Sequence, residues 1–521
     1  MTSVRRPARA LGLLLLGLSL FVVLTVSART GPSFAELGRL EAIARASDIV
    51  IEVARSGPSA LVAAPAKSVY AKLDTAGTLP VLLGAWARLS LGRVGLLDGL
   101  TASRLPWLLL AALVPYLVYL VVEPSRGPQV ALTAGLLALV LPRFVHGAAV
   151  TAQGVTASAT WLLVAVLSLR TLGAGARRMP AWALAASAAL GVGVAVTWSA
   201  LWVLPLLTLH LWFARPRAFR RLFRRGRVPM PALALPALLV TPMVLLALEP
   251  RLWSANLVAA VRAILRPLAP RIEPTIYAGR LVEQLPVPRS YAWSFVMQTL
   301  PAVVLVALLL GLVLLVHRAL GRRFAAGRLR PPADRRALGA FVVAGLVVTL
   351  LGPALAPPPL VSFPPPVEAA LPFVAIAAAF GVDAAARKAA GHYAWLVTAF
   401  IIAAVTHLAL RAPSTGGASF NVLLGGAARV AQSRALPVGD GSEVAALAEP
   451  LDAMGRAELS LLAPEVPPAL WRELRDAGRL RTVIVSRAER DGFSLIRGHG
   501  HGDVVARVER EGAVLWTLVR R

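Results

Sequence analysis

Apolar runs of about 18 or more residues, each long enough to cross a hydrocarbon core of roughly 30 Å as a helix, return along the whole of this sequence. That recurrence excludes a water-soluble fold. Of the 521 side chains 57% are hydrophobic and only 15% charged, against about a quarter charged in soluble globular domains. Spans are expected near 10–28, 104–122, 128–142, 155–170, 181–196, 199–213, 231–249, 295–316, 337–355, 369–385 and 394–411. About eleven helices result, an all-α polytopic membrane protein. The first run, Leu11 to Val26 behind Arg5, Arg6 and Arg9, has the outline of a signal peptide, but the many later spans make it a first transmembrane helix.

The formal charge of +28, from 54 Lys+Arg against 26 Asp+Glu, lies mostly in short loops between apolar runs. Positive charge there fixes topology, so no nucleic-acid partner is expected. With the N-terminus cytoplasmic, Arg177-Arg178, the cluster from Arg215 to Arg227, the cluster from Arg318 to Arg336 and Arg387-Lys388 all fall inside. Three long segments are left outside: 29–103, 250–294 and the tail 412–521. Disulfides, thiolate catalysis and Cys-ligated metals are excluded, because the chain has no Cys.

In the first external segment apolar residues at 34, 37, 40, 43 and 44 make one stripe on a short helix. Such a helix can lie in the membrane interface, with Glu36, Arg39 and Arg45 at its polar margin. Asp48 to Val53 is expected to be extended, and a second helix is expected from Val81 to Leu91, with Trp86 as an interface anchor. A segment this long is more than a connector. In the tail, Ala457 to Leu462 and Arg481 to Ser486 read as strands, Pro467 to Ala477 as a helix ending at Gly478, and Val504 to Glu509 with Ala513 to Val519 as a hairpin. The domain reading is therefore 1–411, a transmembrane domain with external loops 29–103 and 250–294, and 412–521, a small extracytoplasmic α/β domain. Gly498-His499-Gly500-His501-Gly502 is a weak ligand set, since two His with no nearby Cys or carboxylate pattern fit a flexible loop better than a metal site.

Several stretches, in order, are similar to one family. The helix Leu79-Pro80-Val81-Leu82-Leu83-Gly84-Ala85-Trp86-Ala87-Arg88-Leu89 is followed by Ser103-Arg104-Leu105-Pro106. Then come Leu141-Pro142-Arg143-Phe144-Val145-His146, Ala157 to Leu169, Tyr291-Ala292-Trp293-Ser294-Phe295 before Leu300-Pro301, Ala370-Leu371-Pro372-Phe373, and Phe420 to Ala427. Together they resemble polytopic glycosyltransferases of the GT-C class, among them the bacterial relatives of dolichyl-phosphate-mannose protein mannosyltransferase and lipid A aminoarabinose transferase. The resemblance implies a GT-C-like transmembrane domain in a bacterial inner membrane. It implies a reaction in which a sugar leaves a polyprenyl-phosphate donor on the extracytoplasmic face for a hydroxyl acceptor on a glycan, lipid or protein. Membrane lipids and the lipid-linked sugar are then the partners. No resident cofactor follows from it, and a divalent metal is left open.

Such chemistry needs a carboxylate to take the acceptor proton and cations to hold the departing lipid phosphate. Glu36 matches the second member of the family's acidic pair, while Ala35 stands where the first would be. Gln153-Gly154 stands where relatives often have Asp, Trp198 where they have Lys, and the loop from Arg271 to Tyr277 lacks the subgroup's His residues. Glu36 is thus either the general base or a solvated residue of the interface helix. Asp74 either belongs to the site or caps the helix starting near Pro80. Arg143 and His146 end a span on the external side, where a guanidinium can meet a phosphate bidentately or simply snorkel to the interface. Tyr277, Arg280 and Arg289 in the second external loop complete the substrate-binding candidates. His210 and His407 read as buried, hydrogen-bonded residues. Two alternatives stand beside the transferase: a catalytically degenerate relative that binds a lipid-linked glycan or scaffolds an envelope assembly, and a transporter. The second would show related halves and charges at mid-membrane depth, neither of which is seen in the sequence.

Overall fold

A computed structural model describes residues 5–63, 77–150, 153–173, 177–214, 230–253, 275–277, 280–282, 291–324, 333–351, 367–391, 395, 398–399, 402–403, 442–463, 466–485, 493–497, 503–510 and 513–520. The helices are α1 (Arg5–Arg29), α2 (Phe34–Ser56), α3 (Thr78–Ala87), α4 (Gly99–Arg126), α5 (Pro128–Val140), α6 (Pro142–Ala149), α7 (Gln153–Gly173), α8 (Met179–Val196), α9 (Val203–Ala214) and α10 (Met230–Leu248). After the two short strands β1 (Thr275–Tyr277) and β2 (Arg280–Val282) come α11 (Tyr291–Thr299), α12 (Ala302–Phe324), α13 (Ala333–Leu346) and α14 (Leu371–Ala390). Among the described residues five helices are long and apolar enough to cross a membrane, or six if α5 and α6 form one span, and four more are apolar but shorter. Most of the span expected at 394–411 lies outside the described residues.

The span expected at 128–142 is bent by 59° between α5 and α6. Pro142 is the cause. It has no N–H to continue the ladder, its ring pushes the residue before it out of the helical region, and Leu141 accordingly sits at φ −64°, ψ 121°. The break at Leu300-Pro301 between α11 and α12 has the same origin, and it interrupts the span expected at 295–316.

Asp48 to Val53, expected to be extended, is helical. The β-branched run Ile49-Val50-Ile51 favours a strand locally, but Ile49 continues the stripe of Leu37, Leu40, Ile43 and Ala46 at helical spacing, and all five are buried. Tertiary burial outweighs propensity here. The stripe is covered by protein rather than by a membrane interface, since it packs on Val81 and Ala85 of α3 and on Leu100 and Trp107 of α4.

The C-terminal part adds α15 (Ala448–Ala453), β3 (Glu458–Leu462), α16 (Pro468–Asp476), β4 (Val483–Val485), β5 (Phe493–Arg497), β6 (Asp503–Arg510) and β7 (Ala513–Arg520). The strands form one sheet in the order β4-β3-β5-β7-β6. β3 is parallel to β4, across α16, and to β5, while β7 runs antiparallel to both β5 and β6. The strands and helix expected from the sequence are present. β5 is an addition, and it joins the parallel and antiparallel halves with Phe493 and Leu495 in the core.

Candidate functional site

Glu36 enters the structure as part of a helix start. Ser33 precedes α2 in extended conformation, and its N–H donates to Glu36 Oε2 at 3.3 Å. Ser-x-x-Glu before an apolar stripe is a capping-box pattern, a signal that sequence reasoning passed over. Both carboxylate oxygens also accept from one guanidinium: Arg104 Nε donates to Oε1 and Nη2 to Oε2, each at 2.7 Å. The two side chains are 1% exposed. A polar residue this deep in an apolar helix needs a partner, and the apolar stretch around Arg104 in α4 was the available hint.

Arg104 does more than pair with Glu36. Its Nη1 donates to the carbonyl of Thr30 (2.8 Å) and its Nη2 to that of Gly31 (2.7 Å), with the Ser27 carbonyl at 3.3 Å from Nη1. These carbonyls lie at and just beyond the end of α1, where the last helical carbonyls lack partners and the helix dipole favours a cation. A second guanidinium meets the same groups. Arg479, just after the positive-φ turn at Gly478, donates from Nη1 to Thr30 O (2.7 Å) and from Nη2 to Ser27 O and Asp98 Oδ1 (both 3.2 Å). Asp98 in turn caps α4, accepting from the N–H groups of Leu100 and Thr101. No local pattern reveals Arg479, because its partner Thr30 is 449 residues away.

Further out, Arg88 faces Glu473 at 3.5 Å and Asp476 at 3.8 Å. Burial pushes the Glu473 carboxyl above the ordinary glutamate value; Arg88 opposes this, while Asp476 and Glu36 add to it. Burial likewise pulls the Arg479 guanidinium down, against Asp98. Arg39, within electrostatic reach of Glu36, stacks 5.7 Å from the Trp107 ring centroid. Arg479 bonded to Thr30 and Asp98, and Arg88 beside Glu473 and Asp476, thus tie the C-terminal sheet unit to the first loop.

Arg143 and His146 lie on α6, the segment beyond the Pro142 bend, and His146 is buried. The Arg143 guanidinium stands 5.5 Å from the Phe295 ring centroid on α11 and within electrostatic reach of Glu368, in the turn Val367–Ala370. Glu368 was not among the sequence candidates. It is a lone acid after Pro364-Pro365-Pro366, which is its only local signal. The end of α1 also touches this helix: Ser27 Oγ donates to Ala149 O at 3.4 Å, and Val26 clusters with Val145 and Ala149. The Glu36–Arg104 pair and the Arg143–His146 helix therefore flank the same end of α1.

Asp74 and Arg289 lie outside the described residues. The helix that Asp74 was expected to cap receives a carboxylate from elsewhere. Glu249, just past α10 and 2% exposed, accepts from the N–H of Thr78 at 3.2 Å and from its hydroxyl. Gly77 lets the start of α3 lie against the end of α8, where its N–H donates to Val196 O at 3.1 Å and a Cβ would fall 1.5 Å from Ala195 O. Tyr277 and Arg280 are directly paired across the β1–β2 ladder. His210 is buried edge-on to Phe341 at 5.8 Å, while His407, His499 and His501 lie outside the described residues.

No family model and no curated protein matches the chain. Solved structures do. The chain is similar to ArnT from Cupriavidus metallidurans bound to undecaprenyl phosphate, at 15% identity and TM-score 0.46, over 97% of each chain. It is also similar to the oligosaccharyltransferase AglB from Archaeoglobus fulgidus in complex with an inhibitory peptide and a dolichol-phosphate, at 11% identity and TM-score 0.42, over 91% of this chain and 64% of that one. Both neighbours are GT-C glycosyltransferases, the class that the sequence motifs resemble.

Proposed function

We propose that this chain is a membrane glycosyltransferase that moves a sugar from a polyprenyl-phosphate donor to a hydroxyl acceptor on the extracytoplasmic face of a bacterial inner membrane. In this reading 1–411 is the GT-C-like domain, 412–521 is extracytoplasmic, and the N-terminus is cytoplasmic. The observation that carries the reading is the bent α5–α6 pair. Non-helical backbone at membrane depth is tolerated where it is buried in protein or lines a cavity, and this bend delivers Arg143 and His146 to the end of the bundle that the Arg distribution places outside. There they bind the donor phosphate, joined by Tyr277, Arg280 and Arg289 from the second loop. Glu36 or Asp74 takes the acceptor proton.

A second reading is favoured by that same pair: a catalytically degenerate relative that binds the lipid-linked glycan without turning it over. Both Glu36 oxygens accept from Arg104, and Ala35 replaces the partner acid. The test is release of free polyprenyl phosphate by the purified chain from a panel of polyprenyl-phosphate sugars and hydroxyl acceptors. Release that falls about 100-fold or more in Glu36→Gln, at unchanged lipid binding, assigns the base. Binding without release across the panel, with an active relative as control, would replace the transferase by the binder. A cytoplasm-active reporter fused after Arg521 should stay silent, and strong signal would refute the orientation.

A further inference from the structure

At the opposite end of α4 from Arg104, about 33 Å away along the axis at a rise of roughly 1.5 Å per residue, a cavity of ≈ 360 Å³ opens between α4, α12 and α14. Its charged lining is Arg126, Arg387, Lys388 and Asp383, three cations to one carboxylate. Arg387 Nε donates to Asp383 at 2.8 Å, which occupies one of the five guanidinium N–H donors. Arg126 lies 4.5 Å from the Phe380 ring centroid, a contact that fixes its head at the cavity wall.

The cavity rests on a tight helix crossing. A Cβ on Gly311 would stand 1.9 Å from Ala377 O, and one on Gly381 would stand 2.0 Å from Ala307 O. Paired small residues let α12 and α14 meet backbone to backbone, and the charged residues follow on the next turns of α14. Leu314 and Leu315 of α12 and Phe380 of α14 add apolar side chains to the same lining. A cationic pocket of ligand size thus has an apolar wall.

We propose that this cavity binds the phosphate headgroup of an anionic phospholipid. By the Arg distribution the site faces the cytoplasmic leaflet, so it is separate from the donor site proposed above. Basic pockets between transmembrane helices at that surface are suited to anionic headgroups. The apolar wall of Leu314, Leu315 and Phe380 favours a lipid over a free phosphate, which would use the cations alone.

The test is native mass spectrometry of the full chain equilibrated with phosphatidylglycerol and phosphatidylcholine in equal amounts, with and without inorganic phosphate. Phosphatidylglycerol should be retained preferentially. Its affinity should fall about fivefold in exposed Lys388→Gln, the equivalent of roughly 1 kcal/mol per cation near the surface, and more in Arg126→Gln/Lys388→Gln. Asp383→Asn should raise it severalfold, a gain that misfolding does not produce. Equal retention of the two lipids, or no response to any of these substitutions, would overturn the site. Displacement of the lipid by millimolar inorganic phosphate alone would overturn the lipid as its occupant. None of these readouts depends on turnover, so failure here leaves the transferase reading untouched.

Discussion

Removing either partner of the Glu36–Arg104 pair takes from a buried charge the opposite charge that bonds it twice. Arg104→Met keeps an unbranched apolar stem in α4 but removes two bonds to Glu36 and those to the carbonyls of Ser27, Thr30 and Gly31. The stranded carboxylate keeps the Ser33 N–H. At 1% exposure for both side chains solvent screening brings little relief, and breaking such a pair costs about 3–5 kcal/mol. Glu36→Gln retains shape but opposes an amide N–H to one guanidinium N–H, for about 2–3 kcal/mol, the scale of one lost charged hydrogen bond. The double variant leaves neither charge behind, so the two losses should fail to add by about 2 kcal/mol or more, within the range for residues in direct contact. Equilibrium unfolding in mixed micelles, followed by tryptophan fluorescence, measures all four corners of the cycle. A coupling below about 0.5 kcal/mol would refute the view that this pair fixes the first loop onto the bundle.

Arg479→Gln should loosen the C-terminal sheet unit while leaving the helices intact, at about 1.5–3 kcal/mol per charged hydrogen bond lost; limited proteolysis should then cut within 412–521 faster than in the parent. Glu473 has a folded-state pKa raised above the ordinary 4.5, so the stability it contributes is complete below that value and is lost as pH rises through the raised one; Glu473→Gln should flatten that fall in the unfolding profile above pH 4.5, and an unchanged slope would count against it. Gly311→Ala and Gly381→Ala each push a methyl into the facing backbone and should cost about 1–3 kcal/mol, whereas Gly17→Ala, inside α1 with nothing within 4 Å of its added Cβ, should hold or raise the melting temperature, since Ala is the better helix former.

The elements that the sequence made legible are those whose burial is decided locally. Apolar length marks α1, α4, α7, α8 and α14 because a helix that crosses a membrane meets the same solvent all along, and Pro142 shows why a continuous hydropathy run can still turn a corner. In the tail the alternation of Leu459 and Leu461, both buried, exposed β3 at once. β5 is only five residues long, and it becomes a strand because β3 and β7 bond to it from either side, a non-local cause that no window in the sequence contains. The candidate site divides in the same way. Arg143 and His146 could be named because they end an expected span on the external side, and Glu36 because it matches one member of the acidic pair that the resemblance implies. What the sequence could not supply was the direction in which Glu36 points. Its two oxygens are claimed by Arg104, 68 residues on, and the carbonyls that hold Arg104 in place are shared with Arg479 from the far end of the chain. A carboxylate's chemistry is set by who donates to it, and here the donors arrive from a second helix and are held there by a third segment. The Glu36 proposed as base is also, in the folded chain, the counter-charge of the guanidinium that closes the end of the first helix.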